Sequence, residues 1–339
     1  MSLRLIEVFL PDETGDRIED LLENYSFLGI WHEHLENHQL LVKILVYSKE
    51  VEPLIDCLGQ KFSGVEGFRL LILPVEASIP RPELIESAVS EPDFAQNGEN
   101  SDTPFPRINR EELYVAVAES VRLSWTPILM VFLSTTIAAI GLLRSSEAVI
   151  IGAMVIAPLL KPNMALAVAT TLGDMALALR TVKVGSVGIF VSLSLSILIG
   201  RFFPINPDLP EIAFRTQVSL ADVVLALASG IAGAISLTAG ETSAIVGVMV
   251  SVALLPPLVT FGMLLGSGEW EIAGGAMLLV LTNLTCLNLA SVGTLLLQKV
   301  APGEWWQVYR AKKATNIAFG VWFLLLSALI GVILTWKRH

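Results

Sequence analysis

The chain has 339 residues, of which 53% are hydrophobic and 16% are charged, and its net charge is −10. Soluble domains carry about 25% charged residues, so this composition excludes an ordinary soluble protein over the whole length. Residues 1–112 hold 9 Lys/Arg against 22 Asp/Glu, and such an acidic segment without clustered cations excludes nucleic acid as a partner.

The first 75 residues have the pattern of a small α+β domain. Residues 3–10 alternate like a strand, a helical segment follows, and two strand-like runs meet at Asn37-His38 like a hairpin. A second helical segment, Val51 to Phe62, and a last strand complete the order β-α-β-β-α-β, which predicts a ferredoxin-like domain over 1–75. The start of the chain lacks the pattern of a secretory signal, so we expect this domain to be cytoplasmic.

Three residues on one predicted strand have the alternation of a metal site. His32, His34 and Glu36 fall on the same strand face. Two nearby imidazoles favour a solvated face over a metal centre, and we expect no metal or other cofactor.

A proline-rich, polar stretch separates this domain from the rest of the chain. Proline recurs between Pro74 and Arg110, around the polar run Asn97 to Asp102, with few apolar residues. This composition predicts a flexible linker over 76–112.

Residues 113–339 contain seven apolar stretches long enough to cross a lipid bilayer. A ~30 Å hydrocarbon layer takes about 20 helical residues. The predicted spans are Trp125 to Leu143, Ala148 to Leu172, Val182 to Gly200, Asp222 to Ala239, Ser243 to Leu265, Ile272 to Leu297 and, last, 315–336. The cations before the first span and after the sixth favour a cytoplasmic N-terminus, as for a multi-pass protein of a cell inner membrane, with the lipid bilayer as partner.

A segment near the second span recurs near the fifth. Residues 150–162 read I-I-G-A-M-V-I-A-P-L-L-K-P and residues 245–257 read I-V-G-V-M-V-S-V-A-L-L-P-P, at an offset of 95 residues. The same offset places the first span on the fourth and the third on the sixth. We therefore predict two copies of a three-span unit, about 125–200 and 220–297, followed by one further span.

Because each copy has an odd number of spans, the two copies enter the membrane from opposite sides. Inverted repeats of this kind are frequent in transporters, whose solute sites lie where corresponding helices are interrupted. Pro158 and Pro162 predict such an interruption in the second span, and Pro256 and Pro257 predict one in the fifth. The start of each following half-helix would favour an anion, whereas plain proline kinks are the alternative.

Lys161 and Asn163 stand beside the first of these predicted interruptions. An ammonium at mid-membrane is costly and is typical of a pathway or a paired charge. The alternative is a lysine whose long side chain reaches the membrane surface. With the four prolines, Lys161 and Asn163 are therefore candidate solute-binding or pore residues.

The sixth span carries polar residues at several positions. Asn283 and Asn288 lie among Thr282, Thr285 and Cys286. We include the two asparagines among the candidate pore residues. Hydrogen bonding between packed helices is the alternative role.

The segments 152–162 and 247–258 resemble the two signature blocks of the domain-of-unknown-function family number 389. The resemblance extends over residues 115–300, and it implies a membrane protein whose members often carry an N-terminal soluble domain. Many relatives have Met-Gly-Pro where this chain has Leu160-Lys161-Pro162.

Two classes of function follow from these patterns. We expect a transporter or channel for a small solute, with an anion favoured, which the soluble domain gates and which forms a homo-oligomer. The alternative is a membrane-anchored sensor or scaffold whose soluble domain binds a ligand or partner. We do not expect an enzyme, because the sequence has no ATP-binding signature, intramembrane Asp/Glu pair or nucleophile motif.

Overall fold

The computed structural model divides the chain into two compact units, Met1–Asp102 and Thr103–His339. The residues described are 3–12, 18, 21–22, 25–35, 38–75, 78, 108–240, 244–300 and 320–333, without the side chains of 49, 160, 244–250 and 252.

The first unit contains a four-stranded antiparallel sheet. Its strands are β1 (Leu3–Pro11), β2 (Gly29–Leu35), β3 (Gln39–Tyr47) and β4 (Arg69–Val75), in the order β2-β3-β1-β4. Helix α1 (Ser48–Phe62) lies between β3 and β4 in sequence. Most of the first predicted helix lies outside the described residues, although Ile18, Leu21 and Leu22 are helical and buried.

Residues on one face of the sheet alternate with those on the other, as the pleat requires. Ile6, Val8 and Leu10 of β1 are fully buried and join Leu54 and Leu58 of α1 in one core. The predicted histidines lie on the edge strand β2 and are exposed, and His34 Nδ1 is 3.1 Å from Asp12 Oδ1. Glu36 lies outside the described residues.

The second unit is helical. Its helices are α2 (Arg110–Ser120), α3 (Trp125–Leu143), α4 (Glu147–Ile156), α5 (Leu160–Leu172), α6 (Met175–Phe202), α7 (Pro210–Ala213), α8 (Leu220–Thr238), α9 (Ala244–Ser267), α10 (Trp270–Leu297) and α11 (Gly320–Ile333). Helix α2 begins inside the stretch predicted as linker. The Asn109 side chain caps it by accepting from the Glu112 amide at 2.8 Å.

Four helices of the described residues are long and apolar enough to cross a membrane, namely α3, α6, α8 and α10. The pair α4 and α5 makes five if it is counted as one bent span. The side chains of α9 are described without a gap only over Ala253–Ser267, and this part of α9 counts, with α11, among the shorter apolar helices. These lengths are compatible with a multi-pass membrane protein, and the count of seven spans stays a prediction.

Helix α10 lies at the centre of this unit and α6 at its periphery. The most apolar window of α10 is 67% buried, against 11% for α6. Helix α6 packs along α9, and α8 packs along α10.

The two predicted interruptions differ in the structure. Helices α4 and α5 meet at a bend of 50° around Pro158, as predicted for the second span. The prediction for the fifth span was wrong, because α9 continues as one helix through Pro256 and Pro257. Proline leaves the carbonyl four residues earlier without its usual donor, so a helix can continue where another group supplies that donor.

The helix bounds repeat along the chain. Adding 95 to the bounds of α3 gives those of α8, and adding 95 to those of α6 gives those of α10. The ends of α5 and α9, Leu172 and Ser267, are related in the same way, and each is followed by a glycine with positive φ, Gly173 or Gly268.

Candidate functional site

A first cavity of 460 Å³ lies against the bend between α4 and α5. Pro158, Lys161 and Pro162 line it at the bend, while Gly185 and Gly188 line it from the middle of α6. The start of α3 closes a further side. The structure thus brings three of the predicted site residues into one cavity.

The charged groups around this first cavity are mainly cationic. Lys161 and Arg122 line it together with one carboxylate, Glu119, whose Oε1 lies 3.9 Å from Arg122 Nη2. That pair is exposed, so it contributes little to stability. A neighbouring cavity of 300 Å³ also contains Arg122, with Arg180 and Lys183.

A second cavity of 400 Å³ lies among α4, α8, α9 and α10, beside the short helix α7. Among the described residues, Glu147, Glu211 and Asp222 line it, against a single cation, Arg215. Arg215 Nη1 lies 2.7 Å from the buried carboxylate of Glu211 and also donates to the Glu211 carbonyl. The second cavity is therefore acidic where the first is basic.

Many residues that line the two cavities stand 95 positions apart. Nine residues of the first cavity have partners in the second at this offset. The pairs are Glu119 and Phe214, Ser120 and Arg215, Pro127 and Asp222, Met130 and Leu225, Val131 and Ala226, Pro158 and Ala253, Pro162 and Pro257, Val184 and Leu279, and Gly188 and Asn283. The linings of the two cavities are thus related by the same offset as the helix bounds.

Asn283 supplies a hydrogen-bond donor that α9 itself lacks at Pro257. Pro257 has no N–H to give to the Ala253 carbonyl, and Asn283 Nδ2 donates to that oxygen at 2.6 Å. Asn283 is 5% exposed, and its Oδ1 has no hydrogen-bond partner among the described residues. This amide therefore links α9 to α10 and contributes to the wall of the second cavity.

The remaining predicted residues lie in the packed interior. Asn163 Nδ2 donates to the Leu159 carbonyl at 2.8 Å, and Asn288 Nδ2 lies 3.4 Å from Asn163 Oδ1. Pro256 is buried in α9. Asn288 thus has the hydrogen-bonding role considered as its alternative, with Asn163 of α5 as its partner.

The sequence reasoning did not select Arg122, Gly188 or the pair of Glu211 and Arg215. Arg122 was counted only for membrane orientation. The signal for Gly188 was present in the repeat, because the offset of 95 aligns it with Asn283. The Glu211 and Arg215 pair has the i,i+4 spacing of a helical ion pair, although helix α7 itself was not predicted.

In the described part of the chain, no three or more His, Cys, Asp or Glu side chains are grouped so that they could hold a metal ion. The three carboxylates of the second cavity therefore line a surface without forming a ligand set.

Together these elements define a mainly helical protein with four or five candidate membrane spans and an N-terminal antiparallel sheet. The chain belongs to the family described as Domain of unknown function (DUF389), whose model matches residues 154–289. An uncharacterised protein of Methanocaldococcus jannaschii is 32% identical over 335 residues, which cover 98% of this chain and 99% of that relative. No solved structure matches. The family predicted from the two sequence blocks is thus confirmed.

Proposed function

We propose that this protein transports a small anion across a membrane, using two inverted three-span repeats and a final helix. In this arrangement the first cavity, beside Lys161, is the solute site. The observation that carries the proposal is the pair of cavities with nine lining positions related by one sequence offset.

The helix bounds support a duplication. The offset of 95 relates both ends of α3 to α8 and both ends of α6 to α10. Equivalent contacts also support the duplication. Thr135 of α3 donates to Ser192 of α6 at 2.9 Å. The residues 95 positions later, Gly230 of α8 and Leu287 of α10, also pack against each other.

Inversion follows if each unit crosses the membrane three times. The second copy then begins on the side opposite to the first, and the two cavities open toward opposite faces. Paired cavities of this kind, each beside a proline of the central span, are the arrangement expected for access from alternating sides.

The charges support an anion as solute. Lys161 and Arg122 raise the local anion concentration in the first cavity, since a low-dielectric wall focuses their field. An ammonium beside a helix bend in the membrane interior is costly without a counter-charge, and a bound anion supplies one.

Flux through reconstituted protein tests the proposal. We expect proteoliposomes with the full chain to pass a small anion, and Lys161→Ala to reduce the flux by about tenfold or more, as for loss of a charge-assisted contact. Lys299→Ala, at the end of α10 and outside all the cavities above, is the matched control and should retain flux. Absence of flux for every anion tested, or equal flux for Lys161→Ala and the wild type, would contradict the proposal.

We further propose that the first unit is a cytoplasmic ferredoxin-like domain that regulates transport, in a homo-oligomer of a cell inner membrane. The strand order β2-β3-β1-β4 with antiparallel pairing supports the split β-α-β-β-α-β motif. Removal of residues 1–102 should change the rate of flux without abolishing it. An unchanged rate under all ligand conditions would remove the regulatory part of the proposal.

One observation favours the alternative of a sensor or scaffold. The sheet face away from α1 exposes Trp31, Leu71 and Leu73, by 52%, 40% and 41%. Exposed apolar groups on one face are typical of a surface that binds a ligand or partner. A full-length protein that is impermeable to all anions but binds a metabolite, with loss of binding on Trp31→Ala, would establish this function.

A further inference from the structure

The first cavity has Gly188 where the second has Asn283, the residue that donates to a backbone carbonyl left without its helical donor. Pro162 has no N–H for the Pro158 carbonyl, just as Pro257 has none for the Ala253 carbonyl. In the second half the Asn283 amide donates to that carbonyl at 2.6 Å. In the first half the equivalent residue is Gly188, which has no side chain to donate.

The absence of a side chain at Gly188 also leaves room. A Cβ there would meet only Val131 Cγ2, at 3.8 Å, which is ordinary van der Waals contact. Gly185, one turn earlier on α6, would likewise meet only Pro162 Cβ, at 3.6 Å. The first cavity is therefore open at the place that Asn283 fills in the second.

A ligand of this cavity meets two different demands. Lys161 and Arg122 favour negative charge, with Glu119 as the opposing carboxylate. Pro158 lines the same cavity, and its carbonyl, a hydrogen-bond acceptor, receives no N–H from Pro162. A halide, nitrate or sulfate ion carries charge but no proton to donate.

We propose that the first cavity selects protonated oxyanions, with hydrogen phosphate and phosphate monoesters as the class, and that Gly188 is the residue that admits them. A protonated oxyanion places its charged oxygens toward Lys161 and Arg122 and donates its O–H to the Pro158 carbonyl. A site that hydrogen-bonds a ligand O–H discriminates strongly against an analogue without it. This inference rests on the proposed function and names its solute class.

Phosphate and sulfate provide the test, since they have similar size and shape but only phosphate keeps a proton near neutral pH. The full chain in nanodiscs of zwitterionic lipid is titrated with inorganic phosphate, sulfate and chloride. We expect phosphate to bind at least about tenfold more tightly than sulfate, as for one hydrogen bond to a charged group. Equal affinity for phosphate and sulfate would overturn the inference but leave anion transport intact, whereas binding of no anion would overturn both.

The substitution Gly188→Asn tests whether Gly188 admits the ligand. The introduced amide should occupy the Pro158 carbonyl and the adjoining space, and phosphate affinity should fall by about tenfold or more. Gly152→Asn, on α4 where a Cβ meets nothing within 4 Å, is the matched control and should bind phosphate as the wild type does. A Gly188→Asn protein that folds and binds phosphate normally would overturn the inference, and if this variant does not fold, the comparison of phosphate with sulfate decides.

The phosphate group could belong to a free ion or to a lipid. A second titration in nanodiscs containing phosphatidic acid distinguishes them. If phosphatidic acid weakens phosphate binding to the wild type in proportion to its content, the headgroup occupies the same cavity and the inference holds with a lipid source. If it has no effect, the free ion is the ligand.

Discussion

Asn283 shows how a single side chain supports a helix at a proline. Its amide replaces the donor that Pro257 lacks in the continuous helix α9. The bend between α4 and α5 lies around Pro158, and the offset of 95 places Ala253, which keeps its N–H, at that position of α9. The prolines at 256 and 257 predicted an interruption of α9 because the sequence does not show that a group on another helix satisfies the freed carbonyl.

Removal of the Asn283 amide should destabilise the packing of α9 on α10. Asn283→Ala leaves the Ala253 carbonyl without its donor, and we expect a loss of about 1–2 kcal/mol in the free energy of unfolding. Thermal unfolding in detergent measures it. Asn206→Ala, in an exposed loop where the side chain accepts from the Asp208 amide at 3.0 Å, is the control and should have a smaller effect. An unchanged melting temperature for Asn283→Ala would indicate that water replaces the amide.

Lys161 and Asn163 illustrate the limit of residue-level prediction. They are two positions apart, and the sequence placed both in one candidate site. In the structure Lys161 lines the first cavity, while the Asn163 amide donates to the Leu159 carbonyl inside the helix bundle. A helix turns by about 100° per residue, so two positions reverse the direction of a side chain. Without the position of the neighbouring helices, the sequence could not show which side faces the cavity.

At the scale of elements, the length of an apolar stretch predicted the bounds of a helix well. The predicted span Trp125 to Leu143 coincides with α3 at both ends, because it is apolar throughout and ends before the charged turn at Arg144. Helix α2 was missed, since its sequence has charged residues and no strong apolar period. Leu113 and Val117 of α2 are buried against α5, and this tertiary packing stabilises the helix.

Helix α2 is also tied to the turn between α5 and α6 through a hydrogen bond. Tyr114 Oη donates to Asp174 Oδ2 at 2.8 Å, and Asp174 Oδ1 accepts from the Leu177 amide at the start of α6. The hydrogen bond to Asp174, with burial as the next cause, raises the pKa of Tyr114 above its ordinary 10.0.

The raised pKa predicts an alkaline loss of stability. A phenol whose pKa is higher in the folded protein stabilises it fully below pH 10.0, and this contribution is lost as pH rises through the folded pKa. We expect thermal unfolding between pH 9 and 12, roughly, to show this decrease in the wild type and a smaller one in Tyr114→Phe. Tyr47→Phe, in the first unit, should leave the decrease unchanged. An identical alkaline profile for Tyr114→Phe and the wild type would exclude this contribution.

Helices α6 and α9 pack closely enough to require glycine. A Cβ at Gly266 would overlap the Ile197 carbonyl oxygen, which cannot move without the backbone of α6. Gly266→Ala should therefore destabilise the protein by about 1–3 kcal/mol through overpacking. Gly152→Ala, at a helix position with open space, should be neutral or stabilising by about 0.5–1 kcal/mol. Equal melting temperatures for the two variants would mean that α6 and α9 are not in this contact.

For the whole molecule, the two similar blocks at an offset of 95 residues were the most informative part of the sequence. The offset found in the two proline-containing blocks also relates the bounds of α3 and α8 and the lining of the two cavities. Within the two blocks the sequence already places Lys161 opposite Pro256, which predicts an asymmetric site. The rest of the charge difference comes from residues such as Arg122 and Glu211, which lie outside the two blocks and approach the cavities through loops and short helices.

Inversion of the two halves can be tested by labelling. Ser124 and Ser219 precede α3 and α8 at equivalent positions, so inversion places them on opposite sides of the membrane. In a Cys57→Ala background, Ser124→Cys and Ser219→Cys should react with an impermeant maleimide from opposite sides of oriented vesicles. The remaining thiol, Cys286, is buried. Labelling of both positions from one side would exclude inverted repeats.

If the two cavities open toward opposite faces of a membrane, as proposed, their opposite charges would make anion transport asymmetric. An anion approaching Lys161 and Arg122 would then meet an attractive potential, whereas one approaching Glu147 and Asp222 from the other face would meet a repulsive one. At equal bulk concentrations, influx and efflux would then have different saturation points, although the equilibrium distribution of the anion stays set by its gradient and the voltage. High ionic strength would shrink that difference, since mobile ions screen charges beyond about 10 Å at 0.1 M salt.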